Sequence, residues 1–171
     1  SRQYGDVATK LAGRLGLLVV SAFATDRLFG VWPLDKLIVG ALGFNEGSAI
    51  LSRFPIAASE RYDLPRCQRF LDPRILLRAE LSMPWGPLQV YSTHASRGGC
   101  QANRIGEIAL AHRGEGPGLV MGDFNATEMS PGLISLREQS GFVDVFRTAN
   151  PDLPGLTVWQ RIDVEQPTVF R

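Results

Sequence analysis

Two short segments of the sequence hold side chains that could act on a phosphate or a metal ion. His94 follows the largely apolar run 88–93 and precedes a glycine-rich loop. Asp123 and Asn125 follow the apolar run 118–121, with one residue between them. Reactive groups commonly lie where a rigid strand ends, because the sheet holds them in place. These three residues are therefore the first candidates for a catalytic site.

The Asp123 and Asn125 pair has two interpretations. If the strand continues through them, both side chains point to one side while Phe124 faces the core. A carboxylate and a carboxamide placed in this way can orient a water molecule or hold a metal-bound phosphate. Alternatively, the two side chains form an Asx-type turn and only cap the loop through local hydrogen bonds. The motif by itself does not decide between the two.

The other charged candidates lie in less distinctive positions. The second histidine, His112, falls in a predicted helix, where a residue at the helix surface or end is expected. Arg53 follows the apolar run 48–52 and could contact a phosphate or pair with a nearby acid. Four arginines form a basic stretch that we expect to be a solvated surface: Arg66, Arg69, Arg74 and Arg78.

Composition excludes several classes of protein. The 171 residues have a net charge of +1, with 44% hydrophobic and 20% charged residues, whereas disordered chains combine low hydrophobicity with high charge. The longest apolar run, Leu15 to Phe23, is shorter than the roughly 20 residues needed to cross a bilayer. A near-zero charge also argues against holding nucleic acid by bulk electrostatics. One globular domain is expected.

Cysteines and termini say little about where the protein works. Cys67 and Cys100 match neither a metal-binding spacing nor a disulfide framework. The chain begins at Ser1 without a methionine or a signal-like segment, so we expect a fragment from which any targeting segment is missing. No compartment is indicated, and a soluble cytoplasmic protein is the default expectation. No obligate protein partner is inferred.

The elements that must position the candidates are short and mixed. The spacing of Val7, Leu11 and Leu15 predicts a helix that Gly16 ends. Segments 101–112 and 131–140 are further predicted helices, whereas 35–44 is ambiguous. Strands are predicted at 17–23, 48–52 and 118–121, with a hairpin formed by 74–81 and 88–93. Because the strands come in runs, the pattern indicates a single mixed α/β domain.

Taken in order, three segments resemble the endonuclease/exonuclease/phosphatase superfamily. They are Gly47-Ser-Ala-Ile-Leu-Ser-Arg-Phe-Pro-Ile56, Ser92-Thr-His94 and Gly122-Asp-Phe-Asn-Ala126. Segments 141–144 and 155–159 also fit the family's pattern. The resemblance implies a four-layer αββα sandwich, in which two packed mixed sheets are flanked by helices. It also implies hydrolysis of phosphodiesters or phosphomonoesters with a divalent cation, Mg²⁺ or Mn²⁺.

The resemblance assigns roles by position. His94 would hydrogen-bond the scissile phosphate and stabilise the charge that builds on it. Asp123 would orient or deprotonate the attacking water, and Asn125 would fix its geometry or contact the phosphate. Three weaker candidates for phosphate binding, for which packing roles fit equally well, are Arg53, Arg104 and Thr157.

Two motifs of the family are not found in the sequence. The Gln-Glu motif, whose glutamate is the main metal ligand, is expected before Ser1, so no metal ligand is assigned. The Ser-Asp-His motif should follow a late buried strand. Arg161-Ile-Asp163 resembles the start of that strand, but Glu165-Gln-Pro167 would interrupt it. We therefore expect residues 1–171 to be a partial domain, inactive by itself.

Two other functions stay open at this point. The chain could be a non-catalytic family member or fragment that binds nucleic acid or phospholipid headgroups. It could also be a structural α/β domain in which Asp123 and Asn125 only cap a turn. The substrate is open as well, because one fold serves nucleic acids, phospholipids and inositol phosphates alike.

Overall fold

The structure, a computed structural model, describes residues 7–25, 29, 31–42, 46–67, 72–155 and 157. Helices and strands alternate irregularly along these residues. In chain order they are α1 (Val7–Leu15), β1 (Leu18–Phe23), α2 (Trp32–Leu42), β2 (Gly47–Ser52), β3 (Ile56–Asp63), β4 (Ile75–Met83), β5 (Gly86–His94), α3 (Ala102–Ala111), β6 (Gly118–Asp123), α4 (Pro131–Ser140) and α5 (Val145–Ala149).

The described strands form two sheets. In the first, β1 and β2 pair antiparallel, with Leu18 opposite Ser52. In the second, the order is β3-β4-β5-β6; the first three strands are antiparallel, and β6 runs parallel to β5. The β5–β6 register places His94 opposite Asp123. The two strands that carry the predicted catalytic residues therefore end side by side.

Alternation along β4 creates a core on each face of the larger sheet. Leu77, Ala79 and Leu81 are buried in one cluster with Ile50 of the smaller sheet, so the two sheets pack face to face. On the opposite face, Leu76 is buried in a second cluster with residues of α3 and α4. The helix α1 contacts β1 and β2. The layers are thus helix, sheet, sheet and helix, which confirms the predicted αββα arrangement.

Most predicted elements are confirmed within one or two residues, and two were missed. The missed strand is β3, and the missed helix is α5. Segment 35–44, which was ambiguous, falls largely within α2. No helix among the described residues has both the length and the apolar character needed to cross a membrane.

The cysteine prediction is wrong. Cys67 and Cys100 form a disulfide, with their Cα atoms 6.3 Å apart, inside the 4.4–6.8 Å range usual for such bonds. The bridge joins the segment after β3 to the loop between β5 and α3. Spacing rules did not find it because the two residues are 33 positions apart and approach only when β3 and β5 join one sheet.

Candidate active site

His94 is the centre of a polar cluster at the carboxyl end of β5. Its side chain is 44% exposed, and its Nδ1 atom lies 3.1 Å from Oε1 of Glu46. On the other side of the ring, Nε2 lies 3.1 Å from Nδ2 of Asn125 and 3.9 Å from Oδ2 of Asp123. The structure therefore brings together all three residues that the sequence analysis placed first.

The turn after β6 explains how Asp123 and Asn125 reach His94. Asn125 has a φ of 49°, so the extended chain does not continue through it. Its backbone N–H donates to Oδ1 of Asp123 over 2.8 Å, and its Nδ2 donates to the carbonyl of Ala95 over 3.0 Å. The Asx-type turn is thus present, but the two side chains do not only cap it, because both also approach the ring of His94. Phe124 packs against the core although the extended chain ends before Asn125.

Glu46 lies directly before β2, where backbone contacts hold it. Its carbonyl accepts from the N–H of Ala24 at 2.8 Å, and its own N–H donates to Oγ1 of Thr25 at 3.3 Å. The Glu46 carboxylate then accepts from His94 Nδ1–H, which directs Nε2 of the ring toward Asn125 and Asp123. The sequence pattern assigned Glu46 no such role, although its position immediately before the motif that begins at Gly47 was a usable signal.

Arg74 completes the cluster, and the prediction that it lies on a solvated surface is wrong. Its side chain is only 13% exposed because two carboxylates enclose it. Nη1 lies 2.8 Å from Oε1 of Glu46, and Nη2 lies 2.8 Å from Oδ1 of Asp72. The site therefore combines a guanidinium and an imidazole with the carboxylate of Asp123. Such a set can hold an anion and orient a water molecule beside it.

The described residues do not form a site for a divalent cation. No group of three or more His, Cys, Asp and Glu side chains in the described ranges is arranged to hold one. Glu46 is occupied by Arg74 and His94, and Oδ1 of Asp123 accepts from Asn125. The described side chains therefore offer an ion isolated ligands, such as Oε2 of Glu46 and Oδ2 of Asp123, and not a set of three.

The three weaker candidates lie elsewhere. Arg53 follows β2 at the end opposite Glu46, about 20 Å along the strand at roughly 3.3 Å per residue. Arg104 is on α3 and pairs with Glu107 at 2.8 Å. Thr157 is exposed and outside any element. The structure does not gather these residues around His94. Arg161 to Asp163 lie outside the described residues.

A second polar cluster surrounds Arg78, whose predicted solvent exposure is also wrong. Its side chain is 6% exposed, and Nε donates to Oε1 of buried Gln89 at 2.9 Å. Three carboxylates bind the same guanidinium: those of Glu60, Glu80 and Glu115. This cluster is on the helix-covered face of the larger sheet.

His112 lies at the edge of the Arg78 cluster. It caps the carboxyl end of α3, as predicted for a helix-end histidine, and its Nε2 is 2.9 Å from the hydroxyl of Tyr62. Burial, together with the hydrogen bond that this hydroxyl donates to Glu60, raises the pKa of Tyr62 to about 12. The same hydrogen bond lowers the pKa of Glu60. His112 thus belongs to a packing network separate from His94.

The cleft at His94 is small. Its volume is about 10 Å³, lined by residues such as Glu46, Arg74 and His94. A larger cleft of about 470 Å³ is lined by α4, α5 and the loop between them, including Phe142 and Arg147. None of the polar residues clustered around His94 lines that cleft. The candidate site is therefore identified by its side chains and not by the volume of its cavity.

Comparison with known proteins gives structural rather than sequence likeness. No protein-family model and no curated protein matches the sequence. The human Nocturnin catalytic domain, solved with a bound sulfate anion, has a TM-score of 0.68 and 17% identity, over 93% of this chain and 63% of that one. An endonuclease/exonuclease/phosphatase family protein from Leptotrichia buccalis has a TM-score of 0.67 and 18% identity, over 93% and 60%.

These likenesses, at such low identity, concern the fold. The chain spans 60% to 63% of the length of these two structures. A protein from Enterococcus faecalis described as functionally unknown gives a TM-score of 0.53 with 18% identity, over 77% of this chain and 53% of that one. The chain has two packed sheets flanked by helices, and it overlaps with these structures over most of its length. It therefore has the fold of the endonuclease/exonuclease/phosphatase superfamily.

Proposed function

We propose that the His94 cluster binds the phosphate group of a phosphodiester or phosphomonoester and belongs to a hydrolase of the nuclease or phosphodiesterase type. The observation that carries the proposal is that two separate segments meet at one imidazole. Nδ2 of Asn125 and Oδ2 of Asp123, from the segment after β6, lie 3.1 Å and 3.9 Å from Nε2 of His94 at the end of β5. The position of the imidazole, with the Asp123 carboxylate on the Nε2 side of its ring, supports the proposal.

Each side chain has a distinct part in the proposed reaction. Glu46 holds His94 by its Nδ1–H. Nε2 faces the Nδ2 donor of Asn125 in the structure, and when Nε2 is protonated it donates to a phosphoryl oxygen in place of that contact. Arg74 pairs with Glu46 on the Nδ1 side of the ring and so holds the Glu46 carboxylate in place. Asp123 accepts a proton from water as the water oxygen bonds to phosphorus and the ester bond breaks. The leaving oxygen takes a proton from His94 or from solvent, and Asn125 keeps the ring and the carboxylate in register.

We further propose that the reaction requires Mg²⁺ or Mn²⁺, as the family resemblance implies. The described residues do not supply a set of ligands for the ion, and none of the steps above passes through it. The same resemblance supports the proposal that residues 1–171, without the Gln-Glu and Ser-Asp-His motifs, bind phosphate but turn over poorly. The proposed substrate is a phosphate ester. Nucleic acids, phospholipids and inositol phosphates all carry the group that the site would bind.

The two histidines of the chain allow a test with an internal control. Imidazole signals are followed by NMR while inorganic phosphate is added at millimolar concentrations. We expect the His94 signals to shift saturably and the His112 signals to stay in place. His94→Ala should remove the response, and His112→Gln should keep it. No response at His94, or equal responses at both rings, contradicts the proposal.

Hydrolysis of bis(4-nitrophenyl) phosphate separates binding from catalysis. Residues 1–171 are assayed with Mg²⁺ and with EDTA, and we expect no turnover above background. Robust Mg²⁺-dependent turnover would overturn the proposed inactivity; His94→Ala and Asp123→Asn should then each lower kcat by about 10²- to 10⁴-fold, the usual contribution of general acid–base groups.

A further inference from the structure

The disulfide joins two segments that lead directly to the candidate site. Cys67 follows β3 by a few residues, in the segment that precedes Arg74 and β4, and Cys100 ends the loop that begins after His94. That loop contains Gly98 and Gly99 with φ values of 82° and 67°. Apart from one short 3-10 turn at Arg97–Gly99, the loop has no helix or strand of its own, and contacts with other segments help to hold its conformation.

Gln101, next to the bridge, is the centre of these cross-links. It is fully buried, and its Nε2 donates to the carbonyl of Pro65 at 2.9 Å. Its Oε1 accepts from the backbone N–H of Ser96 at 2.7 Å. The disulfide thus holds Gln101 against the segment after β3, and Gln101 in turn holds the loop that follows His94.

A continuous chain of contacts runs from Gln101 to the catalytic candidates. Ser96, buried beside Gln101, donates its hydroxyl to Oδ2 of Asp72 at 2.8 Å. The other oxygen of Asp72 pairs with Arg74 at 2.8 Å, and Arg74 pairs with Glu46. The same loop also reaches the second catalytic segment, since the N–H of Gly98 donates to the Asn125 carbonyl at 3.0 Å.

We propose that the Cys67–Cys100 disulfide and Gln101 form a redox-sensitive clamp that positions Arg74 and His94 for phosphate binding. The proposal rests on the proposed function of the His94 cluster, and Gln101 acts in it as a positioning residue. Cys100 is exposed and Cys67 partly so, which leaves the bridge open to a dithiol. Disulfides persist mainly in oxidising compartments, and the clamp keeps the site formed there.

The redox step involves no other group of the protein. A dithiol supplies two electrons and two protons; the bond between the sulfur atoms of Cys67 and Cys100 breaks, each sulfur becomes a thiol, and the reductant becomes a disulfide. Release of the bridge removes the covalent link between the loop after His94 and the segment after β3, and leaves that loop held by packing and hydrogen bonds. Opening of that loop removes Ser96 from Asp72 and so frees Arg74 to move.

The first experiment counts thiols and follows backbone exchange. The unfolded, unreduced chain should contain no free thiol and the reduced chain two, since it has two cysteines. Reduction should also speed amide hydrogen exchange at Ser96 and Gly98, while amides in α4 stay protected. The clamp is overturned if protein purified from an oxidising compartment contains two free thiols. It is also overturned if reduction does not change the rate of amide exchange at Ser96 and Gly98.

The second experiment measures phosphate affinity through the His94 NMR signals. We expect reduction by dithiothreitol to weaken binding by about tenfold, within the usual range of coupling between sites. Cys67→Ser should bind as weakly as the reduced protein and ignore the dithiol. Gln101→Ala should weaken binding with the bridge intact, whereas Gln139→Ala, a change at an exposed glutamine of α4, should not.

The outcomes separate this proposal from the proposed function. Equal affinity in oxidised and reduced protein overturns the clamp and leaves the phosphate site standing. If neither form binds phosphate although exchange at Ser96 still responds to reduction, the proposed function fails, and with it the positioning part of the clamp. Weaker binding that accompanies faster exchange supports both.

Discussion

Replacing Gly122 by alanine tests the strand pairing that brings His94 and Asp123 together. Gly122 immediately precedes Asp123 on β6 and lies opposite Thr93 of β5. Its φ is 146°, a conformation that residues with a side chain rarely adopt. An added Cβ would lie 1.9 Å from the carbonyl oxygen of Thr93, which is backbone and cannot swing away. Only displacement of β6 from β5 would relieve the contact.

The expected loss of stability follows from these two features. Holding a non-glycine residue in a sparsely populated backbone region costs roughly 1–3 kcal/mol. Moving β6 away from Thr93 weakens at least one ladder hydrogen bond, worth about 0.5–1.5 kcal/mol net. We therefore expect Gly122→Ala to lower the free energy of unfolding by about 2–4 kcal/mol. The displacement of Asp123 should also weaken the phosphate response at His94.

Equilibrium unfolding in urea, followed by circular dichroism, measures the change. The control is Gly114→Ala, because an added Cβ there has no neighbour within 4 Å and its φ is not in the restricted range. This control should leave stability within about 1 kcal/mol of the wild type. The reasoning is refuted if the two variants unfold at the same urea concentration.

Three other changes test the core, the bridge and the edge of the larger sheet. Ile105→Ala removes a fully buried side chain and should cost about 2–5 kcal/mol in urea unfolding. Cys67→Ser with Cys100→Ser opens a loop of 33-residue separation and should cost about 3–4 kcal/mol on the chain-entropy estimate; a cost near zero would contradict it. The hydrogen bond from the Tyr62 hydroxyl is the main cause of the lowered pKa of Glu60. A carboxylate whose pKa is lowered by folding stabilises the protein above its ordinary pKa, here 4.5, and this stabilisation is lost as the pH falls through the lowered pKa. Glu60→Gln should therefore flatten the acid side of a stability–pH curve.

Patterns along the sequence predicted an element correctly where its residues are largely apolar and glycine or proline marks its ends. The hairpin of β4 and β5 and the helix α4, with Pro131 at its start and Gly141 after its end, are examples. The strand β3 was missed because it is an edge strand whose residues Ala57 to Glu60 are all exposed. An edge strand has no two-sided burial to enforce alternation, so its sequence resembles a loop.

Arginine placement could not be deduced from local composition. Arg74 and Arg78 belong to a stretch that looks like a solvated basic surface. Acidic residues from distant parts of the chain make their burial possible. Glu46 pairs with Arg74, and Glu115 pairs with Arg78. Burying a charge is favourable only when such partners are in reach, and sequence proximity does not reveal them.

The sequence by itself determined the fold class and indicated the three residues that lead the proposed site. The order of its motifs, together with apolar runs that end at His94 and Asp123, was enough for both. Only the tertiary structure decided that these two residues lie opposite each other, that Glu46 and Arg74 complete the cluster, and that Cys67 is bonded to Cys100. Local patterns encode the type and length of each element. Contacts between elements depend on which strands pair and in what register, and that is settled only when the whole core packs.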